Sequence, residues 1–181
     1  MLARAFGVAL GLAALFSPWP GRSQGLAGAS FFRNPPWTVD LISYYMNVWD
    51  SQPEYYFTVE LPADAGAPLG QLTIQQTRGS DWQFPFYVER TSAFLGRPRA
   101  EGRKLPLSVQ FDQDSRRFQI RFDPPVPPGS TVTTVLKPWN NPDQADVYLF
   151  KVTAWPAGPD PIPAALGYGT LRIYATGGGV F

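Results

Sequence analysis

Along most of the chain apolar and polar residues alternate with a period of two, and helical periodicity is scarce. In "EYYFTVELP", Tyr55, Phe57, Val59 and Leu61 fall on one face, with Tyr56, Thr58 and Glu60 on the other. "LPLSVQFD" sends Leu105, Leu107, Val109 and Phe111 one way, and "RRFQIRFD" sets Phe118, Ile120 and Phe122 against Arg117, Gln119 and Arg121. "DVYLFKVTAW" offers Tyr148, Phe150 and Val152 opposite Val147, Leu149 and Lys151. "TVDLISYY", "LGQLTIQQ", "FPFYVER", "STVTTVLK" and "GTLRIYA" have the same character. Short strands at regular spacing, separated by Gly, Pro, Asp and Asn, predict an all-β fold: an Ig-like antiparallel β-sandwich of about seven to nine strands.

The connections carry their own signals. "DQDSR" reads as a tight hairpin turn between two well-alternating strands. "RTSAFLGRPRAEGRK" is the longest stretch without alternation, and predicts a turn or one helical turn around Thr91 to Leu95 before a basic loop. In "FDPPVPPGSTVTTVLKP" the strand is expected to end at Phe122, because the prolines that follow lack the N–H a ladder needs. The prolines then hold the chain extended until Gly129 turns it into the next strand. That arrangement suits a crossover from one sheet to the other; a polyproline ligand is the less favoured reading, since strand sequence flanks it closely.

The amino terminus departs from this pattern. Arg4 is followed by an uncharged apolar run from Ala5 to Phe16, too short to span a bilayer as a helix of about 20 residues. It matches the hydrophobic region of a secretory signal peptide. Cleavage is expected after Ala27-Gly28-Ala29, with a cut before Gln24 as the alternative. The chain therefore divides into a signal peptide over 1–29, a β-domain over 30–174 and a flexible Gly-rich tail over 175–181. No other segment is long and apolar enough to cross a membrane, and the glycines before Phe181 break the alternation that an outer-membrane barrel strand requires. Export places the protein in the periplasm or outside the cell.

Composition then removes whole classes of chemistry. The 181 residues contain no Cys and no His. An exported chain without Cys folds without disulfides, and neither a His-based triad nor a Cys nucleophile is available. Cleavage before Ser30 leaves 13 basic and 14 acidic side chains, which predicts no strong field for nucleic acid or anionic membrane. A Ser–Lys dyad would need Lys104, Lys137 or Lys151 buried beside a serine, and Lys151 is expected on a solvent face. Most acids sit in turns, so no carboxylate pair of the glycosidase kind stands out. Zinc and copper would lack their usual ligands. Only "NNPDQAD" (Asn140, Asn141, Asp143, Asp146) gathers enough oxygen donors to make a weak calcium candidate of Asn141, Asp143 and Asp146. No cofactor is expected.

Aromatics are the remaining lead. Tyr44, Tyr45 and Trp49 crowd the first mature segment, Trp82 lies in the loop "RGSDWQFP", and Trp139 in "KPWNNPD". A Trp beside Asn in a sandwich loop can offer a flat stacking surface to a sugar ring, which makes Trp139, Asn140, Asn141 and Trp82 the candidate ligand-binding residues. The competing reading is that each Trp caps an open end of the core. The basic run Arg97, Arg99, Arg103 and Lys104, broken by Glu101, reads as a solvated loop.

The succession "YYFTVELPADAGAPLGQLTIQQ", "TSAFLG", "FDPPVPPGSTVTTVLKP", "NP", "VYLFKVTAWPAG" and "LGYGTLRIY" resembles an uncharacterised cyanobacterial family of secreted proteins that carries only a domain-of-unknown-function label. The resemblance spans about Pro36 to Tyr174. It implies export and an Ig-like β fold, and it assigns no catalytic residue. The expected function is that of a non-catalytic envelope or extracellular module, protein-binding or structural. The alternative is a carbohydrate-binding module built on the loop aromatics around Trp139, and a hydrolase with a carboxylate site stands behind both. The expected partner is an envelope protein or a polysaccharide, not nucleic acid.

Overall fold

The computed structural model describes residues 28–176. The signal-peptide reading and most of the Gly-rich tail lie outside these residues. Among them ten strands form two five-stranded sheets, and every pairing of neighbouring strands is antiparallel. The strands are β1 (Val39–Ile42), β2 (Tyr55–Glu60), β3 (Leu69–Arg78), β4 (Ser92–Arg97), β5 (Ala100–Lys104), β6 (Leu107–Asp112), β7 (Arg117–Val126), β8 (Thr131–Leu136), β9 (Asp146–Pro156) and β10 (Ala164–Ile173). The first sheet runs β1-β2-β8-β4-β5 and the second β10-β9-β3-β7-β6. This is the all-β, Ig-like sandwich that the alternation predicts. Among the described residues no helix is long and apolar enough to cross a membrane.

The core is built from the inward residues of both sheets. Tyr55, Phe57 and Val59 of β2 face Leu72 and Ile74 of β3, Phe118 and Ile120 of β7, and Tyr148, Phe150 and Val152 of β9, all buried. Phe150 meets Tyr55 and Phe57 edge-on, with centroids 6.1 and 5.6 Å apart, so aromatic contacts tie the two sheets together. Tyr56 and Thr58, which the alternation sets on the opposite face, are buried as well. Tyr56 packs with Phe94, Val135 and Ile42 on the outside of the first sheet, and Thr58 shares a hydrogen bond with Thr133.

Three expectations need correction. "FPFYVER" is not a strand: Phe86 makes only an isolated bridge to Pro138, and Val88–Arg90 form a short 3-10 turn. The non-alternating "SAFLGRPRAEGRK" is a β-hairpin, β4 and β5, turned at Pro98 and Arg99. Its periodicity is silent because β5 is an edge strand exposed along its whole length, with no buried face to select apolar residues. The basic run therefore lies on a hairpin, where Arg97 pairs with Asp40 and Glu60 and Arg99 sits 4.1 Å over the Tyr44 ring. Finally, β7 does not stop at Phe122 but continues through Pro124 and Pro125 to Val126, which pairs with Leu69. The prolines are tolerated because β6 pairs no further than Leu107 opposite Phe122, and a bulge opposite Gly70 absorbs them. The chain then crosses to the first sheet, turning at Gly129 (φ +80°), whose N–H donates to the Leu61 and Pro62 carbonyls.

Candidate functional site

Three connections meet at one end of the sandwich: residues 43–54 between β1 and β2, residues 79–87 after β3, and residues 137–145 between β8 and β9. Backbone hydrogen bonds join them directly. Gln52 N–H donates to the Trp139 carbonyl (2.8 Å), Asn141 N–H to Asp50 (2.8 Å) and Trp139 N–H to Pro85 (3.0 Å).

The 79–87 loop is fixed from beneath. Gly79 (φ +140°) passes so close to the Tyr148 ring that no side chain fits there. The Asp81 carboxylate then accepts the N–H groups of Gln83 (2.8 Å) and Phe84 (3.1 Å), an Asx turn. Arg116, only 3% exposed, donates through Nη2 to the Phe84 carbonyl (2.8 Å) and through Nε to Gln76 (3.3 Å). Gln76 in turn donates to the Asp81 carbonyl (2.7 Å). The guanidinium carbon lies 4.8, 5.2 and 5.4 Å from the Phe84, Phe86 and Phe111 ring centres, a cation held among aromatic faces. Burial pushes this guanidinium down to about 10, against the opposing pull of Asp81 and Tyr55.

Asn141 organises the other two loops. It is 1% exposed, its Oδ1 accepts from the Tyr55 hydroxyl (2.8 Å), and its Nδ2 donates to the Tyr45 and Asn47 carbonyls (3.0 and 2.9 Å). Burial holds the Tyr55 hydroxyl protonated by raising its pKa well above 10. With Asp50 Oδ2 accepting from Asn47 N–H (2.8 Å), the network clamps the turn that carries Trp49. Trp49 has φ 63°, a left-handed backbone that bulky side chains rarely adopt, and it is 63% exposed.

Two shallow recesses open between these loops. One, of about 250 Å³, is bordered by Trp49, Asn140, Asp81, Gln83 and Asp143. Its neighbour, of about 620 Å³, is bordered by Trp82 together with the same Asp81, Gln83 and Asp143. Neither has a Lys or Arg in its lining, so the rim is aromatic and acidic.

The four candidate ligand-binding residues separate. Trp82 (44% exposed) and Asn140 line the recesses. Trp139 is 50% exposed at the same end but lines neither; its ring stacks on Tyr87 at 5.1 Å. Asn141 also borders the smaller recess, but its amide is fully engaged inside the protein, so it acts as a structural hub. Of the calcium candidates, Asn141 is bonded inward, Asp143 is exposed, and Asp146 accepts from Ser80 (2.6 Å) and from Val147 N–H. Among the described residues no group of three or more acids is placed to hold a metal. Sequence reading missed Asp81 and Gln83, whose only signal was their position beside Trp82.

One carboxylate recess lies elsewhere, on the outside of the first sheet, where Glu54 and Glu101 border a space of about 150 Å³ with Ser92, Lys104 and Lys137. Burial there raises the Glu54 pKa, but hydrogen bonds from Lys137 and Tyr56 outweigh it and hold the carboxyl below its usual value. That is the opposite of the raised general acid a glycosidase needs. Lys137 is engaged by Glu54 at 2.5 Å, and Lys104 is exposed, so Ser92 has no buried free amine beside it.

Residues 29–173 match the family described as Protein of unknown function (DUF2808), and the chain belongs to that family. No curated protein matches it. Among solved structures it is similar to a cohesin module from a Clostridium perfringens family 33 glycoside hydrolase (10% identity, 79% of this chain and all of that one, TM-score 0.48). It is also similar to the collagen-binding domain of a Staphylococcus aureus adhesin (6% identity, 76% and 94%, TM-score 0.40). A third is AvmM, which catalyses macrocyclization in alchivemycin A biosynthesis (12% identity, 82% and 94%, TM-score 0.40). A set that includes a cohesin module, a collagen-binding domain and an enzyme assigns this chain no ligand and no reaction.

Proposed function

We propose that this member of the family is an exported, non-catalytic binding module that docks a protein partner at its loop end. One observation carries the reading: Trp49 is held in a left-handed backbone and in solvent by a buried, fully bonded Asn141 network. Core stability alone gives no reason to fix a large aromatic ring in that conformation outside the core, and strain of this kind collects at sites of function. Trp, with Tyr and Arg, is enriched among the few residues that carry most of the binding energy at protein interfaces. The carboxylates of Asp81 and Asp143 beside Trp49 and Trp82 favour a partner segment that carries Lys or Arg.

The test is binding of the immobilised chain to an envelope extract, before and after the extract is digested with protease. Saturable binding that is lost both on digestion and in Trp49→Ala supports the reading. Binding indifferent to Trp49→Ala overturns it. Binding that survives protease and is lost in Trp139→Ala would instead support the carbohydrate reading, favoured by the exposed Trp139 ring backed on Tyr87.

A further inference from the structure

The outward face of the second sheet is a different kind of surface. Register places its side chains in rows across the strands. Tyr168, Lys151, Gln75, Arg117 and Asp112 form one row, and Ala165, Thr153, Thr73, Gln119 and Gln110 form the next. Trp155, Gln71, Arg121 and Ser108 form a third. Amides and hydroxyls therefore tile the face, interrupted by three cations and one indole. The only carboxylate in these rows, Asp112, is taken up at the corner by Ser115 (2.7 Å) and Arg117 (3.7 Å). Among the described residues neither Arg121 nor Lys151 has a carboxylate partner.

The face is also indented. Trp155 and Arg121 border a recess of about 380 Å³ that runs toward Pro125 and Pro161. A second, of about 120 Å³, lies among Ser108, Gln110 and Gln119, and the two share Gln71 and Arg121. Trp155 donates its indole N–H to Thr73 (3.0 Å), which pins the ring in the wall of the larger recess.

We infer that this face is a second binding site, distinct from the loop end, and that it takes an acidic polysaccharide carrying uronate carboxylates. Each part of the surface has a counterpart in such a chain. The Arg121 guanidinium matches a carboxylate with two parallel N–H donors, and Lys151 adds a second positive point on the same face. The Gln amides and Thr and Ser hydroxyls present donors and acceptors side by side, as vicinal sugar hydroxyls require. The indole offers an apolar plane to a pyranose ring. A row of neutral hydroxyls and amides separates Arg121 from Lys151 and Arg117, and Arg117 already has Asp112, so the face suits a ligand of sparse negative charge and many hydroxyls better than a polyphosphate, whose affinity comes from dense ion pairing.

The experiment uses the purified chain, titrated with sodium alginate, dextran and a single-stranded DNA oligomer at low and physiological salt. Alginate should bind saturably and weaken as salt rises, and dextran should bind at least tenfold more weakly. Arg121→Gln, which keeps an amide on an exposed position, should lower alginate affinity about tenfold, the loss expected for one charge-assisted bidentate contact. Trp155→Ala should weaken binding in a variant whose urea midpoint shows it still folded, and Trp155→Phe, which keeps an aromatic plane without the N–H donated to Thr73, should restore most of it. Trp49→Ala should leave alginate binding unchanged, so failure of this site and failure of the loop-end reading are separable. Absence of alginate binding, indifference to Arg121→Gln in a folded variant, or equal binding of the DNA oligomer would overturn the inference.

Discussion

Asn141→Ala gives the sharpest test of how the loop end is held. The substitution removes one hydrogen bond to the Tyr55 hydroxyl and two to the Tyr45 and Asn47 carbonyls. Three such bonds contribute about 3 kcal/mol together, at roughly 1 kcal/mol each. The Tyr55 hydroxyl belongs to a side chain with no exposure, and losing its partner adds a desolvation penalty of about 1–2 kcal/mol. The expected loss is thus about 4–5 kcal/mol, or a fall in Tm of roughly 8–20 °C for a domain of this size. Tyr55→Phe removes only the shared hydroxyl and should cost about 1–2 kcal/mol. Placed on that background, Asn141→Ala no longer strands a hydroxyl, so the two losses should fall short of additive by about 1–2 kcal/mol. Urea unfolding followed by tryptophan fluorescence measures all four corners of the cycle, with an unchanged m value as the check on two-state behaviour. A loss below about 1 kcal/mol for Asn141→Ala, or strict additivity of the pair, would refute the hub.

Gly79→Ala should destabilise by about 2–4 kcal/mol in the same assay, because the new methyl must enter the Tyr148 ring at a φ of +140°. Arg116→Ala should cost about 3–5 kcal/mol, since it empties the space among Phe84, Phe86 and Phe111 and leaves the Phe84 carbonyl without its donor. Hydrogen bonds from Lys137 and Tyr56 hold the folded Glu54 carboxyl below the usual carboxylate range, so its stabilising effect is present above that range and is lost as pH falls through the lower folded value. Stability measured from pH 6 down to 3 should therefore fall less steeply in Glu54→Gln. The difference should stay under about 1 kcal/mol, because the pair with Lys137 is one-third exposed.

What the sequence made legible follows from which residues had a buried face. β2, β3, β6, β7, β9 and β10 each press one side against the core, so alternation marks them, down to the inward Phe118, Ile120 and Phe122. β5 has no buried side and left no period to read. "FPFYVER" carried a strand-like composition because Phe84 and Phe86 are needed around Arg116, not because the backbone is paired. The loop end was half legible: exposed Trp82 and Trp139 stood out, while Asn141, an ordinary turn residue by type, gave no hint that its amide faces inward. The outer rows of the second sheet were visible as the polar half of each alternation. Their convergence on Trp155 and Arg121 depended on register, which pairs residues 71, 121 and 155 across the sheet.

The two surfaces proposed for binding carry opposite charge in a chain whose charges nearly cancel, and much of that separation has a cause other than recognition. Asp and Asn collect in turns because their side chains bond the local backbone, as Asp81, Asp50 and Asp112 do here. Strands disfavour Asp and accept Thr, and long Gln, Arg and Lys side chains solvate an outward face at little cost, so a sandwich drifts toward acidic ends and a basic flank without any ligand. The charge difference alone therefore argues for nothing. Two features escape that explanation. Turn formation needs no tryptophan at a φ of 63°, least of all one left in solvent. Strand solvation needs no indole pinned beside an arginine that has no carboxylate partner among the described residues. Loss of binding on changing Trp49 at one surface, or Arg121 and Trp155 at the other, thus separates recognition from ordinary folding chemistry, whereas neutralising a turn aspartate would perturb both at once.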